Sequence, residues 1–448
     1  MAKISRRKFI AASAAAVAAP TIIPASALGL QDGKPAPSER VTMGFIGVGG
    51  MGMGNMNSFL GLSEVQVLAV CDVVGNYKLT KGGSESHGRD RAKEVVEKKY
   101  AEQQKSGQYK GCESYKDFRE LCARKDIQAV CVATPDHWHF LASIEAVRSG
   151  KDVYCEKPVT HHFREGIILQ EETKKRGTIW QTGSQQRSEW NFRRGAEIVR
   201  NGLIGKVQHV EVGLPTGHKK PIGDTKVQDP PESVDYDFWC GPSPKLPFMP
   251  ARFHFNWRWH LAFGGGQLMD WIGHHNDIAH WGLDQDLGGP VEVEAAGFEY
   301  AEDIKEIYDS PWAYEVKCLY ESGATSSISN RHKMGTKWIG DKGWVSVDRG
   351  RQDASNKDWF VKEFNRGPVK LYESNNHRRN FIDGVKTRKP AICTAEISFR
   401  SITPGFLGYV SQALKRKVKW NPKDQKFVSD PEAEKLFDVK YRDPWKLA

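Results

Sequence analysis

Between residues 40 and 185 the chain repeats one pattern: a short apolar run, a longer mixed segment, then another apolar run. The apolar runs lie at 41–46, 65–71, 127–134, 152–155 and 178–182. Runs of this length without polar alternation predict strands covered on both faces, and the segments between them predict helices. Strands alternating with helices imply a parallel sheet. The stretch 75–112 is polar and Lys/Glu-rich, which predicts a solvent-facing helix with loops. Beyond 186 the period changes. Alternating segments at 291–299, 314–320, 325–330 and 343–348 predict strands of an antiparallel sheet. The Pro-rich stretch 213–250 predicts a long ordered excursion of the kind that serves binding or an interface. Residues 266–277 read as a glycine-led helix. Past 373 the chain turns helical again, and the polar tail after 421 is expected to wrap the surface.

In such a parallel sheet, ligands bind at the carboxyl ends of the strands. After the first strand comes Gly47-Val48-Gly49-Gly50-Met51-Gly52, a G-x-G-x-x-G loop opening a helix. Gly47 permits the tight turn, Gly49 lets a pyrophosphate approach the backbone, and Gly52 lets helix and strand pack closely. The second strand ends at Asp72, placed to accept hydrogen bonds from ribose hydroxyls and to repel a 2′-phosphate, which favours NAD over NADP. Three polar clusters follow at later strand ends: Thr134 to His139, Glu156-Lys157-Pro158, and Thr182 to Arg187. The candidate cofactor contacts are Gly47, Gly49, Gly50, Met51, Gly52, Asp72, Thr134, Pro135, His137, His139, Glu156, Lys157 and Gln185.

Composition narrows the class. The chain has 448 residues, enough for two domains, and a formal charge of +10. Lys3, Arg6, Arg7 and Lys8 supply four of those charges, and the rest are scattered among acids without a nucleic-acid-binding motif. Residues 1–27 read as an export signal, with a basic start, an Ala-rich apolar stretch and Ala25-Ser26-Ala27 as the cleavage site. Ser5-Arg6-Arg7-Lys8-Phe9-Ile10 resembles the twin-arginine signal, which predicts export to the periplasm of an already folded protein. After signal removal no membrane insertion is expected. The eight Cys lack any C-x-x-C pair, so neither a metal cluster nor a disulfide framework is expected.

Together the glycine loop, Thr134-Pro135-Asp136-His137-Trp138-His139, Glu156-Lys157-Pro158, and Gly264-Gly265-Gly266 leading to Asp270, His274 and Asp277 resemble the glucose–fructose oxidoreductase/inositol dehydrogenase/rhizopine-catabolism (Gfo/Idh/MocA) family. The resemblance implies an α/β protein: an N-terminal Rossmann domain, drawn here at 40–185, and a C-terminal α/β domain at 186–448. The second domain would carry a large, mostly antiparallel open-faced sheet used for substrate and for homodimers or homotetramers. It also implies Lys157, Asp270 and His274 as the catalytic set. The chemistry agrees: oxidising a secondary alcohol needs a proton acceptor and a cation where alkoxide charge develops. Asp270 and His274 are i and i+4 on one helix face. Either Lys157 or His274 could take the proton, with His274 preferred. Adjacent His274 and His275 point about 100° apart on a helix, which argues against a metal site.

Twelve of the fourteen Trp lie beyond residue 186, most densely in Arg252-Phe253-His254-Phe255-Asn256-Trp257-Arg258-Trp259-His260. Flat rings alternating with polar groups suit a sugar. Arg187, Trp257, Arg258, Trp259, Asp270, His274 and His275 are therefore the candidate substrate contacts. The expected activity is an exported oxidoreductase moving hydride between a sugar or glycoside ring hydroxyl, C3 by preference, and a tightly held NAD. Two alternatives stand beside it. One is an NAD-dependent glycosidase using oxidation, elimination and re-reduction. The other is a non-catalytic periplasmic sugar-binding protein.

Overall fold

The computed structural model describes residues 36, 39–78 and 86–447, so residues 1–27, read above as an export signal, lie outside the described residues. Six strands build the first sheet: β1 (Val41–Ile46), β2 (Val65–Cys71), β3 (Glu113–Tyr115), β4 (Ala129–Val132), β5 (Asp152–Cys155) and β6 (Trp180–Thr182). They pair in parallel in the order β3-β2-β1-β4-β5-β6. Their continuous apolar character has a simple cause. Alternate residues load opposite layers, since side chains along a strand alternate between faces. Ala129 and Cys131 pack with Phe45 and with Phe59 of helix α1 (Gly50–Leu60). Val130 and Val132 pack with Phe140 and Ile144 of helix α2 (Asp136–Arg148). The strand order reverses between β1 and β4, and a crevice opens at their carboxyl ends.

The second sheet has nine strands: β7 (Val207–Gly213), β8 (Glu292–Glu299), β9 (Ala313–Leu319), β10 (Thr325–Ser329), β11 (Gly335–Gly340), β12 (Trp344–Asp348), β13 (Arg351–Ala354), β14 (Val418–Asn421) and β15 (Lys426–Phe427). Their order is β13-β12-β11-β7-β10-β9-β8-β14-β15, antiparallel except for the β7–β10 pair. Val212, Val316, Ile328 and Trp338 form the covered face, beneath helices α3 (Gly266–Leu283) and α4 (Ala395–Leu414). Glu211, Lys317 and Lys337 alternate with them on the open face. The two sheets match the sequence expectation of one parallel and one mostly antiparallel layer. Strands β3, β7, β11, β13, β14 and β15 were not anticipated.

Helix α3 is buried around nearly its whole circumference because it lies between the two sheets. On one side the Thr336 hydroxyl donates to the His275 carbonyl at 2.7 Å. On the other the Ser184 hydroxyl donates to the Gly273 carbonyl at 2.9 Å, and Gly273 faces Lys157. The wedge carries Asp270 and His274 to the carboxyl end of β5.

Candidate active site

The cleft begins at the glycine loop. Gly47 sits at φ +80°, and a Cβ there would stand 2.7 Å from the Thr134 nitrogen. A Cβ on Gly52 would come within 1.9 Å of the Gly47 carbonyl oxygen. Both positions therefore exclude any side chain if loop, helix and β4 are to pack this closely. Helix α1 starts at this loop with no side-chain cap and no acid in its first turn. Its first amides and the positive end of its dipole are free to meet an anion. Asp72 closes the loop from below, accepting from Val48 N at 2.8 Å and Val74 N at 2.9 Å. Burial raises its pKa against the pull of those amides. The loop, the uncapped helix end and the strand-end acid fit a dinucleotide.

At the far end of the cleft stand Glu156, Lys157, Asp136 and Arg258. Lys157 Nζ donates to the Asp270 carbonyl at 2.7 Å and to its Oδ1 at 2.8 Å. Arg258 Nε donates to the same Oδ1 at 3.1 Å, its guanidinium lying over Trp257 and Phe255. Burial would raise the Asp270 pKa, but the two cations outweigh it and hold the carboxyl below its usual range. His274 is pushed well below the usual histidine value, first by burial, then by Lys157 and Arg349. The imidazole is neutral, and its Nδ1 has no hydrogen-bond partner among the described residues. Trp271 lies edge-on to His274, with Arg349 stacked on it at 4.8 Å.

Asp136 has the opposite character to Asp270. Burial and the neighbouring Asp270 carboxylate push it up to about 8, against the pull of Arg258 and Lys157. A carboxyl raised this way holds its proton in the folded state only, so stability falls as pH rises from about 4 towards about 8. Asp136→Asn is expected to remove that loss. Relative to the parent, it should gain about 3 kcal/mol more at pH 8 than at pH 5, read by denaturant titration. Equal differences at both pH values would mean that Asp136 is ionised throughout.

The remaining candidates divide. Gly47, Gly49, Gly50, Met51, Asp72, Thr134, Pro135, His139, Glu156 and Lys157 line the cleft, as do Trp257 and Arg258. Five others do not. Arg187 is 1 % exposed and locked to Asp277 (2.6 Å) and Asp286 (2.7 Å), so its guanidinium is spent inside the fold rather than offered to a sugar. Trp259 is buried with Ile304 and Tyr308 and lies tilted against His218, outside the cleft. His275 is fully buried, its Nδ1 2.6 Å from the Gly213 carbonyl, tying α3 to β7. His137 is buried between the carbonyls of Phe263 and Trp239, and so fastens α2 to the second domain rather than to a cofactor. Gln185 stands behind the lining, donating to the Tyr154 hydroxyl and Glu156. Sequence reasoning missed Asp136, Tyr77, His254 and Phe238, which do line the cleft. Asp136 lay within a motif already noted, as the first residue of helix α2.

Comparison with known proteins agrees with the fold and with a dinucleotide-binding first domain. Residues 41–184 match the model of an oxidoreductase family, NAD-binding Rossmann fold, and residues 190–447 match that of an oxidoreductase family, C-terminal alpha/beta domain. A myo-inositol 2-dehydrogenase of Thermotoga maritima is 24% identical over 392 residues, 84% of this chain and 98% of the relative. An alpha-N-acetylgalactosaminidase of Shewanella oneidensis is 31% identical over 176 residues, covering 39% of this chain and 34% of the relative. The aldose-aldose oxidoreductase of Caulobacter crescentus, solved with glycerol, superposes with a TM-score of 0.59 at 17% identity, over 85% of this chain and 99% of that one.

Proposed function

Because the chain belongs to the Gfo/Idh/MocA oxidoreductase family, we propose that it is an exported enzyme which oxidises or reduces a ring position of a sugar or glycoside, C3 by preference, with NAD it does not release. The observation that carries the reading is that Lys157, at one end of a dinucleotide cleft, bonds Asp270 and acts on the neighbouring His274. Bound NAD supplies the hydride acceptor or donor. His274, neutral and with Nδ1 unpartnered, takes the hydroxyl proton. Lys157 steadies the oxygen as negative charge develops, in a site where burial strengthens its field. Asp270 positions that ammonium through two hydrogen bonds. Asp136, protonated, offers a donor beside them. Asp72 favours the 2′-hydroxyl of NAD over the 2′-phosphate of NADP. Trp257 and Arg258 bound the sugar.

Retention of the cofactor follows from the twin-arginine reading of residues 1–27. Free NAD is not expected in the periplasm, so the cofactor is bound before export and its redox state is restored within the site. A second sugar carbonyl or a separate electron acceptor would do this. The open face of the nine-stranded sheet is assigned to a homodimer or homotetramer. The partial match to a galactosaminidase favours a second reading, in which transient oxidation drives glycoside cleavage without net redox change.

The test is an absorbance spectrum of mature protein purified without added cofactor, then titrated with sugars and their 3-keto forms. A nucleotide band surviving gel filtration, with reduced-nicotinamide absorbance rising on sugar and falling on keto-sugar, is the expected result. Aglycone release from a chromogenic glycoside with no lasting change in that absorbance would favour the glycosidase. A protein that binds no NAD at all would sink both.

A further inference from the structure

The excursion between β7 and α3 returns across the first domain and roofs the cofactor cleft. Gly75 N donates to the Ser233 carbonyl at 3.1 Å, Val74 bridges to Val234, and Lys116 Nζ bonds the Asp235 carboxylate at 2.6 Å. These contacts fasten the roof beside Asp72. A second fastening lies behind it, where Trp445 stacks on Phe238 with 5.6 Å between centroids and Arg442 donates to Asp237 at 2.9 Å. Over the glycine loop the join is of another kind. The His254 imidazole lies flat on the Tyr77 ring, 3.6 Å between centroids and 9° between planes. Both rings line the cleft. The Tyr77 hydroxyl reaches to 3.0 Å from where a Cβ on Gly49 would stand, directly above the anion-binding turn.

His254 also holds a backbone conformation that side chains rarely adopt, with φ +46°. Such strain persists where the surroundings over-determine it, and it gathers at ligand clamps. Here the surroundings include Phe253, 3.9 Å between centroids, and the stacked Tyr77. Neither a charge nor a hydrogen bond is needed for this contact: burial pushes the imidazole down to about 3, so it stacks as a neutral ring. A stack of neutral rings can part without stranding a buried polar group, unlike the bonded edges of the roof.

We propose that the Tyr77–His254 stack is a clasp between the two domains, and that its opening sets the rate at which NAD leaves the cleft. The proposal rests on the retained-cofactor reading and assigns its cause to two positioning residues. It is tested with protein loaded with isotope-labelled NAD, diluted into excess unlabelled NAD and sampled for retained label. Tyr77→Ala and His254→Ala should each release label roughly tenfold faster than the parent, the scale of one lost ring pair. Tyr77→Phe, which keeps the stack, should stay within about threefold. Release at the parent's rate in both alanine variants overturns the clasp, as does a Tyr77→Phe variant as fast as Tyr77→Ala. If Tyr77→Ala fails to fold, His254→Ala breaks the same contact from the other domain. A parent protein that sheds NAD on gel filtration defeats retention instead, and the ratio of variant to parent release still decides the clasp.

Discussion

Lys157→Ala is expected to slow the first turnover on sugar about a thousandfold, the scale of losing one charged stabiliser of a developing oxyanion. Sugar affinity should change by no more than about threefold, because the interaction strengthens only as the hydroxyl loses its proton. Asp270 keeps Arg258 as a partner in this variant, so the local fold should survive. Lys157→Arg should not restore the rate, since a planar fork does not replace a compact ammonium. A second signature separates chemistry from packing. The Lys157 charge is among the causes that depress His274, so removing it raises the His274 pKa towards its ordinary value. The residual rate should therefore depend on a group titrating at higher pH than in the parent. Rapid mixing of NAD-loaded protein with sugar, followed at the reduced-nicotinamide band, reads the rate, and calorimetry reads affinity. Weakened binding with unchanged turnover would transfer Lys157 to substrate recognition. Altered binding with no turnover in the parent itself would favour the sugar-binding protein.

The parts of this site that could be read from sequence are those held by local geometry. The glycine loop is one, because Gly47 and Gly52 answer to steric demands within a few residues of chain and one neighbouring strand. Asp270 and His274 are another, since helical spacing alone puts them on one face. What sequence did not disclose depends on pairings across long separations. Arg187 follows a strand aimed at the cleft, yet two acids about 90 and 100 residues further on turn it inward. His137 sits among cleft residues in the chain but is drawn to carbonyls of the second domain. Tyr77 carries no motif and His254 lay unassigned within the aromatic run, and only the excursion's path across the cleft makes them neighbours. Strand β13, Arg-Gln-Asp-Ala, shows no apolar alternation because three of its four residues face solvent. Strand β3 is a three-residue edge with the same defect.

Arg187→Ala is expected to cost about 3–5 kcal/mol of stability, because it leaves Asp277 buried with no counter-charge. Both side chains are 1 % exposed, and Arg187 also lies over the Trp281 ring at 5.0 Å. The melting temperature should fall by the order of 10 °C. The pH dependence identifies the cause. In the parent, burial already raises the Asp277 pKa, with Arg187 pulling it down. Without Arg187 the pKa rises further, and the folded state keeps a proton that the unfolded chain releases near its ordinary carboxylate value. Stability of the variant is then greatest in acid and is lost as pH rises, so the gap from the parent should be wider at pH 8 than at pH 5. Replacing the pair together, with Arg187→Met and Asp277→Leu, should recover part of the loss, since apolar side chains of similar volume need no partner. Thermal melts at two pH values decide it. Had Arg187 been a substrate contact, Arg187→Ala would melt like the parent and bind sugar poorly. The buried pair predicts the reverse, an unstable protein whose remaining folded fraction still binds.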